Sequence, residues 1–286
     1  MLISYLATKD IKNENMKNLK ELTERRLFET PLCDIGKKYM TDKPGFGYTK
    51  VYNEIMEDKR NNLIDIFEIG IYFGASLRMW HEFFPNGNVY GIDNGRLLPG
   101  AKVLVGGRDG TKINILSEDD VKLLQPNAKV ENYWDFTWIE NERIKCFVAD
   151  QRSESQLKDA FKHFKCDTFD FIIDDGQHFQ EHQQKSLGML FPTVKSGGYY
   201  IIEDIATQEN LVGGHFWGQK KKDASDSTDY IFKEFLNGKK LESRYITESE
   251  TDYIEENIED IYLFDDLNKN NSPINGTSKI LIIKKR

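Results

Sequence analysis

From Asn62 onward the chain alternates short apolar runs with stretches of helical period, and no other feature restricts its possible folds as much. The runs cover Ile64–Ile69, Asn88–Ile92, Ile144–Ala149, Phe169–Asp174, Gly198–Glu203, Asp260–Phe264 and Lys279–Ile283. Segments such as FDFIID and GGYYIIED are apolar without alternation, which suits strands covered on both faces, as in a parallel sheet. Only a polar, turn-rich loop over 265–278 joins the last two runs, so they are expected to close the sheet as an antiparallel hairpin. That ending separates this α/β pattern from an ordinary dinucleotide-binding fold.

Ahead of the sheet, Met16–Phe28 has the spacing of an amphipathic helix, with Leu19, Leu22, Leu27 and Phe28 toward one side. Residues 1–60 are expected to form a helical extension, and 61–286 the main domain. A long insertion over about 94–143 contains GGRDG and the aromatic cluster Tyr133, Trp134, Phe136 and Trp138. A stretch of this length suits a lid, a substrate wall or an oligomer contact.

The formal charge of −8 argues against a phosphate-gripping face, so no nucleic acid partner is expected. Three scattered cysteines signal neither a disulfide framework nor a zinc knuckle and fit a reducing cytoplasm. The apolar opening MLISYLA runs directly into Lys9 and Asp10, too soon for a signal or anchor, and no membrane association is expected. The N-x-S/T matches at Asn270 and Asn275 carry no meaning in that compartment.

The run DIFEIGIYFGAS predicts a strand that ends in a glycine turn and feeds a helix over Ser76–Phe83. Gly70 and Gly74 let a ligand approach the backbone, and the helix start at Ser76 presents amide N–H groups to it. The spacing is not the three-glycine pyrophosphate fingerprint. Asp93, after the second strand, is placed to accept from both ribose hydroxyls, and Asp150-Gln151, after the third, to reach an adenine. Glu68 either meets the ammonium end of such a cofactor or orients the turn. Adenosine recognition is therefore indicated and pyrophosphate recognition is not.

The fourth strand ends in Asp174-Asp175-Gly176-Gln177-His178 and the fifth in Glu203-Asp204. In an open α/β sheet such strand ends converge on one crevice, and crowded carboxylates there call for a cation. Asp175, Glu203 and Asp204 form an oxygen-only set that suits magnesium or another hard divalent ion, and Asp174 is assigned to the cofactor side. His178 is suited to take a proton from a hydroxyl, since an unperturbed histidine side chain, with a pKa of roughly 6.5, can do so at neutral pH. The competing reading is that the acids only cap helices and the imidazole is structural. His81, His163, His182 and His215 receive no catalytic role.

At these residues the chain resembles the macrolide sugar O-methyltransferases of the mycinamicin and tylosin type and related bacterial saccharide-modifying enzymes. The motifs that carry the resemblance are YMTDKPGFGYTKVY, FEIGIYFGASLRMWHEFFPNGNVYGID, VADQ, FDFIIDDGQHFQEHQQKSLGMLFP and SGGYYIIEDI, spanning roughly 34–207. It implies a class I, Rossmann-like seven-stranded sheet with S-adenosylmethionine as cofactor. It also implies magnesium on Asp175, Glu203 and Asp204, and His178 as the base. Thr41, Lys43 and Tyr48 match the family's stretch that folds over the cofactor. Gln177 stands where the family usually has Ser, and the 94–143 stretch is longer than the family's.

The expected activity is methyl transfer to a hydroxyl of a sugar or glycosylated small molecule by a homo-oligomeric enzyme. Two alternatives stay open: a methyltransferase for an amine or phosphoryl-linked acceptor, and a catalytically silent S-adenosylmethionine-binding module.

Overall fold

The computed structural model describes residues 29–72, 74–94, 104–105, 114–115, 141–205, 224–264, 267 and 279–286. The Met16–Phe28 helix, the aromatic cluster at 133–138, GGRDG, His215, Asn270 and Asn275 lie outside them. Seven strands make up one mixed sheet: β1 (Asp65–Ile69), β2 (Asn88–Asp93), β3 (Ile144–Val148), β4 (Phe169–Asp174), β5 (Val194–Glu203), β6 (Ile258–Phe264) and β7 (Ile280–Lys285). Their order is β3-β2-β1-β4-β5-β7-β6, the expected α/β architecture with a terminal antiparallel hairpin. Two compact units divide the described chain, one of Thr30–Phe169 and one of Asp170–Arg286 with Glu29.

In the first unit β1, β2 and β3 run parallel, with Glu68 opposite Gly91 and Asp93 opposite Val148. Helices α1 (Pro31–Lys38), α2 (Lys43–Phe46), α3 (Tyr48–Met56), α4 (Ala75–Phe83) and α5 (Glu154–Phe164) belong to the same unit. Pro31 and Pro44 open the first two, where a missing N–H costs nothing. Gly47, at φ 83°, ends α2 and starts α3 in a left-handed conformation that glycine adopts freely. The core stacks Phe67 on Phe169 at 4.9 Å and sets Tyr52 edge-on to Trp80 at 5.2 Å. A Cβ on Gly91 would lie 2.9 Å from Ile71 and 3.0 Å from Leu77, so the bare backbone of β2 admits the turn and helix packed against it.

Arg143 closes this unit from the far side. Its guanidinium donates to the carbonyl oxygens of Phe84 at 2.9 Å and Gly87 at 2.8 Å, just past the C-terminus of α4. Within 94–143, Leu104–Val105 pairs antiparallel with Asn114–Ile115.

In the second unit β5 pairs antiparallel with β7, and β7 with β6, through a register shift between Ile258 and Asp260. Helix α6 (Gln180–Leu190) follows β4, while α7 (Thr228–Leu236) and α8 (Glu248–Asn257) precede β6. Thr247 and Glu250 form a capping box at the start of α8. Lys285, at the end of β7, donates to the carbonyl oxygens of Pro192 and Val194, both at 2.8 Å. Strand β5 starts four residues earlier than the apolar run suggests, because Gly197 at φ 74° lets the chain bend without leaving the sheet.

Gly198 lies against main chain that cannot withdraw: an added Cβ would be 2.6 Å from the Asp170 carbonyl oxygen and 2.9 Å from that of Lys195. We expect Gly198→Ala to lower the unfolding free energy by about 1–3 kcal/mol in urea titrations. Gly45→Ala, whose Cβ meets nothing within 4 Å, should stay within roughly 0.5 kcal/mol of the parent.

Candidate active site

The turn after β1 is held open by a carboxylate. Gly70 and Gly74 have φ of 95° and 74°, and Tyr72 between them is left-handed at φ 47°. One oxygen of Asp93 accepts from the backbone N–H of Ile71 at 3.0 Å and of Tyr72 at 2.9 Å. Asp93, assigned to ribose hydroxyls, therefore also ties the end of β2 to the glycine turn. Such paired backbone N–H donors fix the orientation of the carboxylate. Ser76 is buried in the first turn of α4, whose N-cap is Gly74.

Glu68 and Lys43, both expected near the cofactor, are fully buried and face each other. Lys43 Nζ stands 3.2 Å from Glu68 Oε1, and the Trp80 indole donates to Glu68 Oε2 at 3.1 Å. This network fastens α2 to β1 and α4. Tyr48 is also buried, stacked on Phe46 at 5.7 Å, and Thr41 donates its backbone N–H to the Gly36 carbonyl. Asp150 receives a two-pronged ion pair from Arg152, Nε to Oδ1 at 3.0 Å and Nη2 to Oδ2 at 2.6 Å. Gln151 beside it is buried.

The second unit brings together Asp175, His178 and Asp204. One ligand atom from each lies within 4.8 Å of the others. His178 Nε2 is 3.7 Å from Asp204 Oδ2 and 4.0 Å from Asp175 Oδ1, and all three side chains are partly exposed. His178 and Asp204 adopt left-handed φ values of 54° and 55°. Backbone strain of this kind costs of order 1–3 kcal/mol per residue and persists where surrounding contacts enforce it. His178 Nδ1 is buried with no hydrogen-bond partner. Two carboxylates and an imidazole at this spacing suit a divalent cation that takes oxygen and nitrogen donors.

Glu203, the third expected ligand, is buried at the end of β5 and lies outside this three-residue group. Asp174 is fully buried, accepting from the Ser186 hydroxyl at Oδ2 and from the Gly176 N–H at Oδ1 (3.3 Å). Tyr200 is buried beside it; burial first, then the Asp174 charge, push its phenol well above the usual tyrosine range. Ser186, Tyr200 and Trp80 were not singled out from the sequence. For Ser186 the available signal was the run of Gln and Ser on a helix whose apolar face is incomplete.

No protein-family model matches the chain. It is 29% identical over 185 residues to mycinamicin VI 2''-O-methyltransferase of Micromonospora griseorubida, covering 62% of this chain and 36% of that protein. It is 30% identical over 185 residues to demethylmacrocin O-methyltransferase of Streptomyces fradiae, with the same coverage. The match thus spans little more than a third of these relatives. Among solved structures, a methyltransferase of the mycinamycin biosynthetic pathway, in complex with Mg, SAH and mycinamycin VI, superposes with a TM-score of 0.58 at 23% identity. That superposition covers 91% of this chain and 55% of the other. The chain has the class I methyltransferase fold. Among the described residues no helix is long and apolar enough to cross a membrane.

Removing one partner of a buried ion pair strands the other charge. We expect Lys43→Met to reduce the unfolding free energy by about 3–5 kcal/mol. Lys43→Met combined with Glu68→Leu should recover much of that loss, as read in urea melts of the single and double variants.

Proposed function

We propose that the protein is an S-adenosylmethionine-dependent O-methyltransferase that methylates a hydroxyl of a sugar or glycosylated small molecule with the help of magnesium or a similar divalent ion. The observation that carries this reading is the convergence of Asp175, His178 and Asp204, two of them in left-handed backbone, at the carboxyl ends of β4 and β5. Likeness to enzymes named for 2''-O-methylation of mycinamicin VI and for methylation of demethylmacrocin supports a saccharide acceptor.

In the first unit, the Gly70–Gly74 turn and the α4 start at Ser76 receive the methionine part of the cofactor. Asp93, fixed by the Ile71 and Tyr72 amides, accepts from the ribose hydroxyls, and Asp150 and Gln151 border the adenine. Helices α1–α3 cover the cofactor with Thr41 and Tyr48, while Lys43 and Glu68 hold that cover in place through their buried pair. A bound divalent ion would lower the pKa of the acceptor hydroxyl and fix its direction. Asp175 and Asp204 would hold it, with Glu203 behind them at the end of β5 as a further acid.

His178 takes the hydroxyl proton at Nε2 as the acceptor oxygen attacks the sulfonium-bound methyl carbon, because a neutral alcohol is a weak nucleophile. The S–CH3 bond breaks as the O–CH3 bond forms, leaving S-adenosylhomocysteine and a protonated imidazole that passes its proton to solvent. Asp175 and Asp204 lie 4.0 and 3.7 Å from that nitrogen. The working form is soluble and homo-oligomeric in this reading.

His178→Ala should leave S-adenosylhomocysteine affinity within about twofold while slowing methylation by roughly 10²–10⁴-fold. Asp175→Asn should erase the response of turnover to added magnesium. Full activity in the presence of a chelator would instead favour an amine acceptor. In calorimetric titrations with S-adenosylhomocysteine, Asp93→Ala should bind more weakly than Asp93→Asn, and both more weakly than the parent. Equal affinity for all three would remove Asp93 from the cofactor site.

A further inference from the structure

We propose that Gln183 and Ser186, one turn apart on α6, are positioning residues that set the spacing and direction of the Asp175, His178 and Asp204 side chains. The proposal rests on the reading that this cluster holds a divalent cation. Residues at i and i+3 share a helix face, and both side chains are almost wholly buried. Each reaches the end of a different strand. Ser186 donates its hydroxyl to the Asp174 carboxylate, one residue before Asp175. Gln183 donates its amide to the backbone carbonyl of Glu203 at 3.0 Å, one residue before Asp204.

One rigid helical turn thereby spans the two strand ends that supply the acids. Helix α6 starts at Gln180, two residues after His178, so the same element also ends the loop that carries the imidazole. The Gln183 side chain is itself fixed: its Oε1 accepts from the Thr228 hydroxyl at 3.0 Å. On the next position, Gln184 donates to the Asp226 carbonyl at 2.8 Å and accepts from Ser243 at 2.7 Å.

An apolar helix face would cover the sheet at lower desolvation cost, so burying Gln183, Gln184 and Ser186 needs a reason beyond packing. The left-handed φ values of His178 and Asp204 supply it. Two strained residues on separate strand ends stay in register only if something fixes both ends against one reference. Groups that hold metal ligands in place commonly contribute 10–100-fold to metal affinity.

The test is Mn2+ binding to the full chain, measured by electron paramagnetic resonance without cofactor or acceptor. Gln183→Leu and Ser186→Ala should each weaken Mn2+ by about 10–100-fold. Ser186→Thr, which keeps the hydroxyl, should bind like the parent. Leu187→Ala, a fully buried apolar neighbour on α6, should lower the melting temperature at least as much while leaving Mn2+ affinity unchanged. Parent-like Mn2+ affinity in both Gln183→Leu and Ser186→Ala would overturn the proposal, as would an equal loss in Leu187→Ala. If Gln183→Leu does not fold, Ser186→Ala, which removes one oxygen, decides alone. Asp175→Asn separates the two levels of the argument. Tight binding by the parent that is lost in Asp175→Asn upholds the cation site whatever the α6 variants do. No binding by the parent, or undiminished binding by Asp175→Asn, removes the cation site and this proposal with it.

Discussion

A carboxylate at the end of a buried strand must be met by donors or by a cation, and the described strands carry several such acids at or just past their ends, among them Glu68, Asp93, Asp174, Asp175, Glu203 and Asp204. How each is met organises the molecule. Glu68 is neutralised by Lys43 and bonded by Trp80, which fixes the helices of 31–56 to the sheet. Asp93 takes two backbone amides and so shapes the glycine turn. Asp174 takes the Ser186 hydroxyl and the Gly176 amide, which fixes the loop leading to His178. Asp204, with Asp175 just past β4, is turned instead toward an imidazole.

The division of labour explains why neighbouring acids differ in burial. Asp174 is fully enclosed, while Asp175 next to it is partly exposed, because consecutive residues at a strand end point to opposite sides. The same alternation separates Glu203, buried, from Asp204, partly exposed. A strand that ends in two acids can thus commit one inward and present the other. In both places the acid presented is the second of the pair.

Much of this was legible in the sequence. Seven apolar runs gave seven strands, because unbroken stretches such as FDFIID have few other ways to bury both faces. The DDGQH and ED segments announced the cluster, since acids and a histidine immediately after apolar runs fall at strand ends. Pairwise commitments were not legible. Nothing in the residue types says that Lys43 would face Glu68 across 25 positions, or that Asp93 would accept from amides just past the neighbouring strand. These depend on packing that brings distant segments together. That the helical extension divides into three separate helices over 31–56 was not legible for a different reason: glycine and proline break the apolar period into pieces too short to recognise.

The anchoring of Asp93 and Arg143 bears on how this scaffold tolerates change. The stretch between them leaves from a residue pinned to the Ile71 and Tyr72 amides and returns through a guanidinium pinned to the carbonyls behind α4. Both moorings belong to the sheet side, so neither depends on what the intervening residues do. Closing a longer excursion between fixed points costs little, roughly 0.6 kcal/mol for each doubling of length. Natural variation can therefore rewrite this passage, in length and in chemistry, as an exchangeable module while the frame that carries the glycine turn keeps its register.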